Sequence, residues 1–233
     1  MAAAPIHVAG ERLMLDPAGV LHWPARRLLC VADLHLEKGS AFAARGRLLP
    51  PYDSRETIAR LLPLLRRYRP ERLVFLGDSF HDGDGPARLG AAERSMLGHA
   101  LAGIAAVWIA GNHDPGAPFG LPGLAAEEWR EGPLVFRHMP APHAAGEVAG
   151  HLHPKMAAPT RAGGVARPCF VSDGRRVLMP AFGAFTGGLE AGDPAIATLF
   201  PRGGRAFLLG TDRLHAFPLQ TRASRRVAAG VSA

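Results

Sequence analysis

Short apolar runs, each closed by a small cluster of polar residues, recur along the first two thirds of the chain. Leu28–Ala32 is apolar throughout and ends at Asp33, as expected of a strand buried on both faces. Asp53-Ser54-Arg55-Glu56 places an N-cap residue three positions before a glutamate, and Ile58, Leu61, Leu62 and Leu65 follow at helical spacing. Pro63 falls inside that run and predicts a kink or a break, and Pro70 closes the segment. Leu73–Leu76 predicts a second strand ending at Gly77-Asp78. Residues from about Leu89 to Leu101 predict a second helix, and Ala106–Ala110 a third strand ending at Gly111. After residue 130 the runs shorten. Leu134–Phe136, Glu147–Ala149, Cys169–Val171, Val177–Met179, Ala195–Phe200 and Ala206–Leu209 predict short strands with turn residues between them.

The first half therefore reads as βαβαβ with a parallel sheet. The second half adds mostly antiparallel strands, in a second sheet or as an extension of the first. No linker is long enough to split the chain, so one domain is expected over residues 1–219. The polar, basic stretch 220–233, with Arg222, Arg225 and Arg226, is expected to be a flexible tail. At 233 residues, with 48% hydrophobic and 20% charged side chains, the composition is that of a globular protein with a sizeable core, which excludes a disordered chain. Cys30 and Cys169 lie in apolar runs and are expected to be buried free thiols. Neither a signal-peptide pattern nor a run of membrane-spanning length is present, which predicts a soluble, cytoplasmic protein with no membrane contact.

The net charge is +7, and only Lys38 and Lys155 are lysines, so arginine supplies 25 of the 27 cationic side chains. Arginine pairs bidentately with phosphate, so this balance points to a polyanionic partner. A GC-rich genome would also favour arginine over lysine.

The polar clusters decide the chemistry. In order they are Asp33-Leu34-His35, Gly77-Asp78, Gly111-Asn112-His113-Asp114, His138 and Gly150-His151-Leu152-His153. Imidazole nitrogen mixed with carboxylate and amide oxygen suits manganese, iron or zinc, and lacks the thiolates of a structural zinc site. In open sheets, ligands collect beyond the carboxyl ends of strands, so residues scattered along the sequence can meet there. A carboxylate shared by two cations holds them about 3.5–4 Å apart, and Asp78, alone on its strand end, is the natural bridge.

This ordered pattern resembles the calcineurin-like metallophosphoesterase superfamily, whose signature runs Asp-x-His, Gly-Asp, Gly-Asn-His-Asp/Glu, His, Gly-His-x-His. Further, Val31–Lys38, Leu76–Asp82, Gly150–Pro154 and Pro180–Gly188 are similar to the bacterial ligase-associated DNA damage response endonuclease branch. The resemblance implies an α/β (α+β) four-layer sandwich, two mixed sheets flanked by helices. It implies two divalent ions, manganese first with iron or zinc as alternatives. Asp33, His35 and His153 would hold one, Asn112, His138 and His151 the other, and Asp78 both. His113 would be the non-ligating histidine that approaches the scissile phosphate. A bridging hydroxide would attack the phosphodiester without a covalent enzyme intermediate.

Many superfamily members place an aspartate three residues after the bridging one to orient this histidine. Here that position is His81, and Asp82 follows; Asp82 reaching His113 is the preferred reading, with Asp114, or no carboxylate at all, as the alternatives. Asn112, His81 and Arg45 are candidate substrate contacts. His143 could compete with His138, whereas His7, His22, His99 and His215 are expected to be surface or core residues. The activity implied is a DNA endonuclease of repair acting on single-stranded or damaged DNA. Ligase, helicase and exonuclease are implied partners, and a homo-oligomer stays open. A phosphodiesterase or phosphomonoesterase for small substrates is the close alternative, and a non-catalytic scaffold the remote one. Absence of Asp-Arg-Gly after the block that carries Asp78 argues against a protein serine/threonine phosphatase.

Overall fold

A computed structural model describes residues 2–114, 120–160 and 163–219, so the expected tail at 220–233 lies outside the described residues. The first sheet has seven strands in sequential order. They are β1 (Ala4–Val8), β2 (Glu11–Leu15), β3 (Leu21–Trp23), β4 (Leu28–Val31), β5 (Arg72–Leu76), β6 (Ala105–Ile109) and β7 (Leu124–Ala126). β1 to β4 pair antiparallel, and β4 to β7 pair parallel. Parallel neighbours need crossovers. These are α1 (Lys38–Ala43) with α2 (Asp53–Tyr68), and α3 (Gly85–Arg88) with α4 (Ala91–Ala100).

The rest of the described chain gives β8 (Glu128–Glu131), β9 (Leu134–Arg137), β10 (Glu147–Ala149), β11 (Lys155–Thr160), β12 (Gly163–Ser172), β13 (Arg176–Leu178), α5 (Pro194–Ala197), β14 (Gly204–Leu209) and β15 (Leu214–Leu219). The second sheet runs β15-β14-β12-β13-β10-β9-β8, with β11 paired to β12 off this path. Its centre, β9-β10-β13, is parallel, and its flanks are antiparallel. Both sheets are therefore mixed, as the resemblance implied.

Alternation along β4 explains the layers. Leu28 and Cys30 face the gap between the sheets, among Leu13, Leu15, Phe136, Val148 and Phe170. Leu29 and Val31 face the other way, onto Ile58, Leu61 and Leu65 of α2 and Leu97 of α4. Both faces are dry, which is why the strand reads as an unbroken apolar run. Phe75 and Trp108 stack beneath the helices with ring centroids 3.7 Å apart. On the outer face of the second sheet, Cys169, Val171 and Leu208 pack against Ile196 and Phe200. That outer layer is thin: one turn of helix. Cys30 and Cys169 are both buried and free, as expected, and burial pushes both thiols far up.

Three local expectations need correction. α2 runs through Pro63 unbroken. Pro63 sits on the solvent face, where water can satisfy the carbonyl it leaves unpaired, while Leu61, Leu64 and Leu65 anchor the helix on both sides. Asp53 is the first helical residue rather than the cap, and its carboxylate accepts the Gly39 amide at 3.1 Å. The helix expected near 89–101, in contrast, forms as α4, with α3 an additional turn before Gly90. Ala195–Phe200 is not a strand. Asp193 accepts the Ala195 amide at 2.8 Å and Pro194 takes the first helical position, so α5 forms instead.

Between β9 and β10 the chain is held by a buried ion pair. Arg176 donates to the Ala141 and Ala144 carbonyls at 3.0 and 2.9 Å and lies 3.3 Å from Glu147, which is fully buried. Arg176→Met would strand that carboxylate. The expected loss is about 3–5 kcal/mol, read as a fall in Tm, with a smaller loss for the double variant Arg176→Met/Glu147→Gln. Equal losses in the two variants would rule out the pair as the cause.

Candidate metal centre

Every polar cluster lies just beyond a strand's carboxyl end, and the two sheets bring these ends to one edge of the sandwich. Asp33 and His35 follow β4, Asp78 follows β5, and Asn112 and His113 follow β6. His138 follows β9, and His151 and His153 follow β10. Turning the side chains inward bends the backbone sharply. Asp33, His35, Asp78, His151 and His153 all have positive φ, between 44° and 71°. Left-handed backbone costs a non-glycine residue roughly 1–2 kcal/mol, so five such residues at one site store strain that the surrounding packing must hold. Two glycines make room. A Cβ at Gly77, where φ is +75°, would lie 2.4 Å from the His138 ring, and one at Gly111 would lie 2.1 Å from Asp78 Oδ1.

Two groups of ligand atoms converge. In the first, His35 Nε2 and His153 Nε2 are 3.4 Å apart, and His153 Nε2 is 3.2 Å from Asp33 Oδ1. In the second, His138 Nε2 is 3.1 Å from His151 Nδ1, 3.3 Å from Asp78 Oδ2 and 2.9 Å from Asn112 Oδ1. Asp78 stands between them. Its Oδ1 accepts the His113 amide at 2.9 Å, leaving Oδ2 to face His138 at 3.3 Å and His35 at 3.8 Å. Asp33 is fixed by the His151 amide, at 3.2 and 3.1 Å from its two oxygens.

These donors fit divalent cations. His138 Nδ1 donates to the Leu76 carbonyl at 3.1 Å, so its Nε2 carries a lone pair. That lone pair meets three others, from an imidazole, a carboxylate and an amide, in one small space. A cation placed among them would relieve the repulsion. Burial depresses the His138 pKa, but the Asp78 and Asp33 carboxylates overcome it and raise the value, so the field at this point favours positive charge. Burial opposes charge on Asp78 too, yet His138, the His113 amide and His35 outweigh it and hold the carboxyl down at about 2. Burial holds His35 down at about 3, which keeps its lone pair free for a ligand bond.

His113 stands at the edge of this cluster, 41% exposed on its side chain, with Nε2 4.0 Å from Asp78 Oδ2. Its Nδ1 donates to the His81 carbonyl at 2.9 Å, which fixes the tautomer and turns Nε2 toward the cleft. Asp82, expected to hold this ring, is engaged elsewhere. It pairs with Arg88 at 2.5 Å and accepts the Asp84 amide at 3.2 Å. A backbone carbonyl takes the place a carboxylate was expected to fill, because the turn bends Asp82 outward. The alternative, Asp114, accepts the Phe80 amide at 2.9 Å and is driven up to about 7, mainly by burial.

His81 packs over His113, with ring centroids 5.4 Å apart, and beside His35 at 5.6 Å. Arg45 is exposed and contributes positive charge near His81. His143 does not enter the cluster; it lines a separate hollow with Arg175 and Arg202. A cavity of about 420 Å³ opens beside the second ligand group, lined by Asn112, His138, Arg137 and Met139. One site feature escaped the sequence, the His81 carbonyl as the partner of His113; the Phe182–Leu189 loop, part of the stretch Pro180–Gly188 already singled out for its resemblance, closes one side of the first group. Gly183 of that loop donates its amide to the Asp33 carbonyl at 3.1 Å. Among the described residues, no helix is long and apolar enough to cross a membrane.

The comparisons agree with this geometry. Residues 26–172 match the family model described as calcineurin-like phosphoesterase. The crystal structure of Pseudomonas putida nuclease MPE is 32% identical with a TM-score of 0.73, covering 92% of this chain and 100% of that one. The phosphoesterase Yfce from E. coli is 16% identical with a TM-score of 0.40, covering 83% of this chain and 99% of that one. No curated protein sequence matches the chain. With the match spanning all five clusters, the chain belongs to the calcineurin-like phosphoesterases, hydrolases that work with divalent metal ions.

Proposed function

We propose that this protein is a phosphodiesterase that cuts DNA, single-stranded or damaged, in DNA repair, acting as one domain over residues 1–219 with two divalent ions. The observation that carries the reading is Asp78 Oδ2, which faces His138 of one ligand group and His35 of the other. Asp33, His35 and His153 would hold one ion, and His138, His151 and Asn112 the other. Manganese fits this set of imidazoles and oxygens, as do iron and zinc. When bound, such ions neutralise phosphate charge and lower the pKa of a coordinated water.

The chain's own residues do the rest. His113 Nε2, turned toward the cleft, donates a proton to the leaving oxygen, and the His81 carbonyl keeps Nδ1 protonated throughout. His81 and Arg45 flank that histidine and meet the substrate's phosphates, as does the exposed amide of Asn112. The choice of nucleic acid is supported by the arginine-dominated charge of +7 and by the likeness to a nuclease over 92% of this chain and the whole of that one.

A substrate screen tests it. Manganese-loaded protein should cut single-stranded or nicked oligonucleotides and hydrolyse a bis-aryl phosphate faster than a mono-aryl one, with chelator stopping both. If every DNA form stays whole while a cyclic or small nucleotide is turned over, the enzyme acts on small substrates and the repair role falls.

A further inference from the structure

The loop from Phe182 to Leu189 runs along the first ligand group. At one end the Phe182 and Gly183 amides donate to the Ala32 and Asp33 carbonyls. At the other, Leu189 donates to the Leu152 carbonyl and accepts from the Lys155 amide, beside His153. Phe185 sits at the crown. It is 46% exposed, the one phenylalanine among the described residues to count as exposed, whereas Phe182 just before it is buried.

Exposure of an aromatic ring is ordinary by itself. The backbone beneath it is not. Phe185 has φ +58°, a left-handed conformation that a bulky side chain rarely adopts. Three interactions hold it there. Lys38 Nζ donates to the Phe185 carbonyl at 2.9 Å, Thr186 Oγ1 donates to the Gly183 carbonyl at 3.0 Å, and the Ala184 amide donates to Thr57 Oγ1 at 3.0 Å. The strain therefore serves to hold a hydrophobic ring out in solvent at the lip of the metal centre. The only two lysines of the chain also lie at this loop, Lys38 at its crown and Lys155 at its foot. An exposed ring on a pinned backbone, flanked by cations, suits a single-stranded nucleic acid, since every base has a face to stack and every link a phosphate.

We propose that Phe185 is a stacking platform for the nucleobase next to the scissile phosphate, presented by the Lys38-pinned loop. The proposal rests on the nucleic-acid reading above. It gives the protein a means of selecting unpaired strands, because a base must leave its duplex partner to lie on the ring.

The test replaces one nucleotide at a time of a single-stranded oligothymidylate by an abasic tetrahydrofuran, and resolves the cut products by length. With the unaltered enzyme, an abasic residue at one fixed position relative to the cut should raise KM about tenfold. Phe185→Ala should raise KM for the intact strand by a similar factor and no longer distinguish the abasic strand at that position. Its kcat and bound metal should stay within about twofold of the unaltered enzyme. Phe185→Trp should restore both KM and the abasic penalty, and Phe185→Leu should not. The platform is refuted by an unchanged KM in Phe185→Ala, by an abasic penalty that survives the substitution, or by full rescue with leucine. A fall in kcat and metal content would make Phe185 a structural residue and refute it equally. If the unaltered enzyme cuts intact strands but shows no position-specific penalty, this proposal alone fails. If it cuts no strand at all, the nucleic-acid reading fails first and takes this one with it.

Discussion

Asp78→Asn is expected to lower phosphodiester hydrolysis by at least about a thousandfold and to leave the protein short of tightly bound metal. The reason lies in how the two carboxylate oxygens are committed. Oδ1 accepts the His113 amide, so an asparagine there must turn its carbonyl toward that N–H. Its NH₂ group then occupies the place of Oδ2, facing His138 and His35. A donor would stand where both ligand groups need an acceptor, and it would satisfy the His138 lone pair without any cation. The fold should persist, because the substituted amide keeps the His113 contact. Metal analysis of the purified variant and its rate on a bis-aryl phosphate check both halves. Full metal content with near-normal rate would remove Asp78 from the bridging role.

His113→Ala is expected to give the complementary result: kcat lower by about 10²–10⁴ with metal content unchanged. The side chain is outside both ligand groups, and the backbone amide that fixes Asp78 remains after truncation. Proton donation to the departing oxygen predicts a further signature. The loss should be severe for an alkyl leaving group and mild for a nitrophenyl one, which departs without a proton. Asp82→Asn, in contrast, should leave the rate nearly intact, since Arg88 and the Asp84 amide occupy that carboxylate. A large loss in Asp82→Asn with a small one in His113→Ala would reverse these roles.

How much of this could be read from residues alone depended on the range of the interaction. The convergence of these side chains was readable because each ends an apolar run, and strand ends in such sheets share an edge; the structure gathers the imidazoles and carboxylates into two neighbouring groups. The partner of His113 was not readable. Sequence spacing can suggest a side chain, but the His81 carbonyl is a backbone atom common to any residue. Pro63 was misread because its effect depends on which helix face meets water, a tertiary fact. The antiparallel strands β1 and β2 carry clear alternation, Ile6 and Val8 against Leu13 and Leu15, turning at Ala9-Gly10 with φ +50° and +84°. They passed unnoticed because that turn lacks the asparagine or aspartate that usually marks it. At Ala195–Phe200, apolar content outweighed the Asp193-Pro194 start signal, and the helix won.

The ligand groups straddle the sandwich: Asp33, His35 and Asp78 come from one sheet, and His138, His151 and His153 from the other. Ions seated there would rivet the two halves at a single rim and favour the folded chain by mass action. Supply of the cation would then govern how long each molecule survives proteolysis as well as how fast it works. A cell starved of that cation would lose the protein along with its reaction.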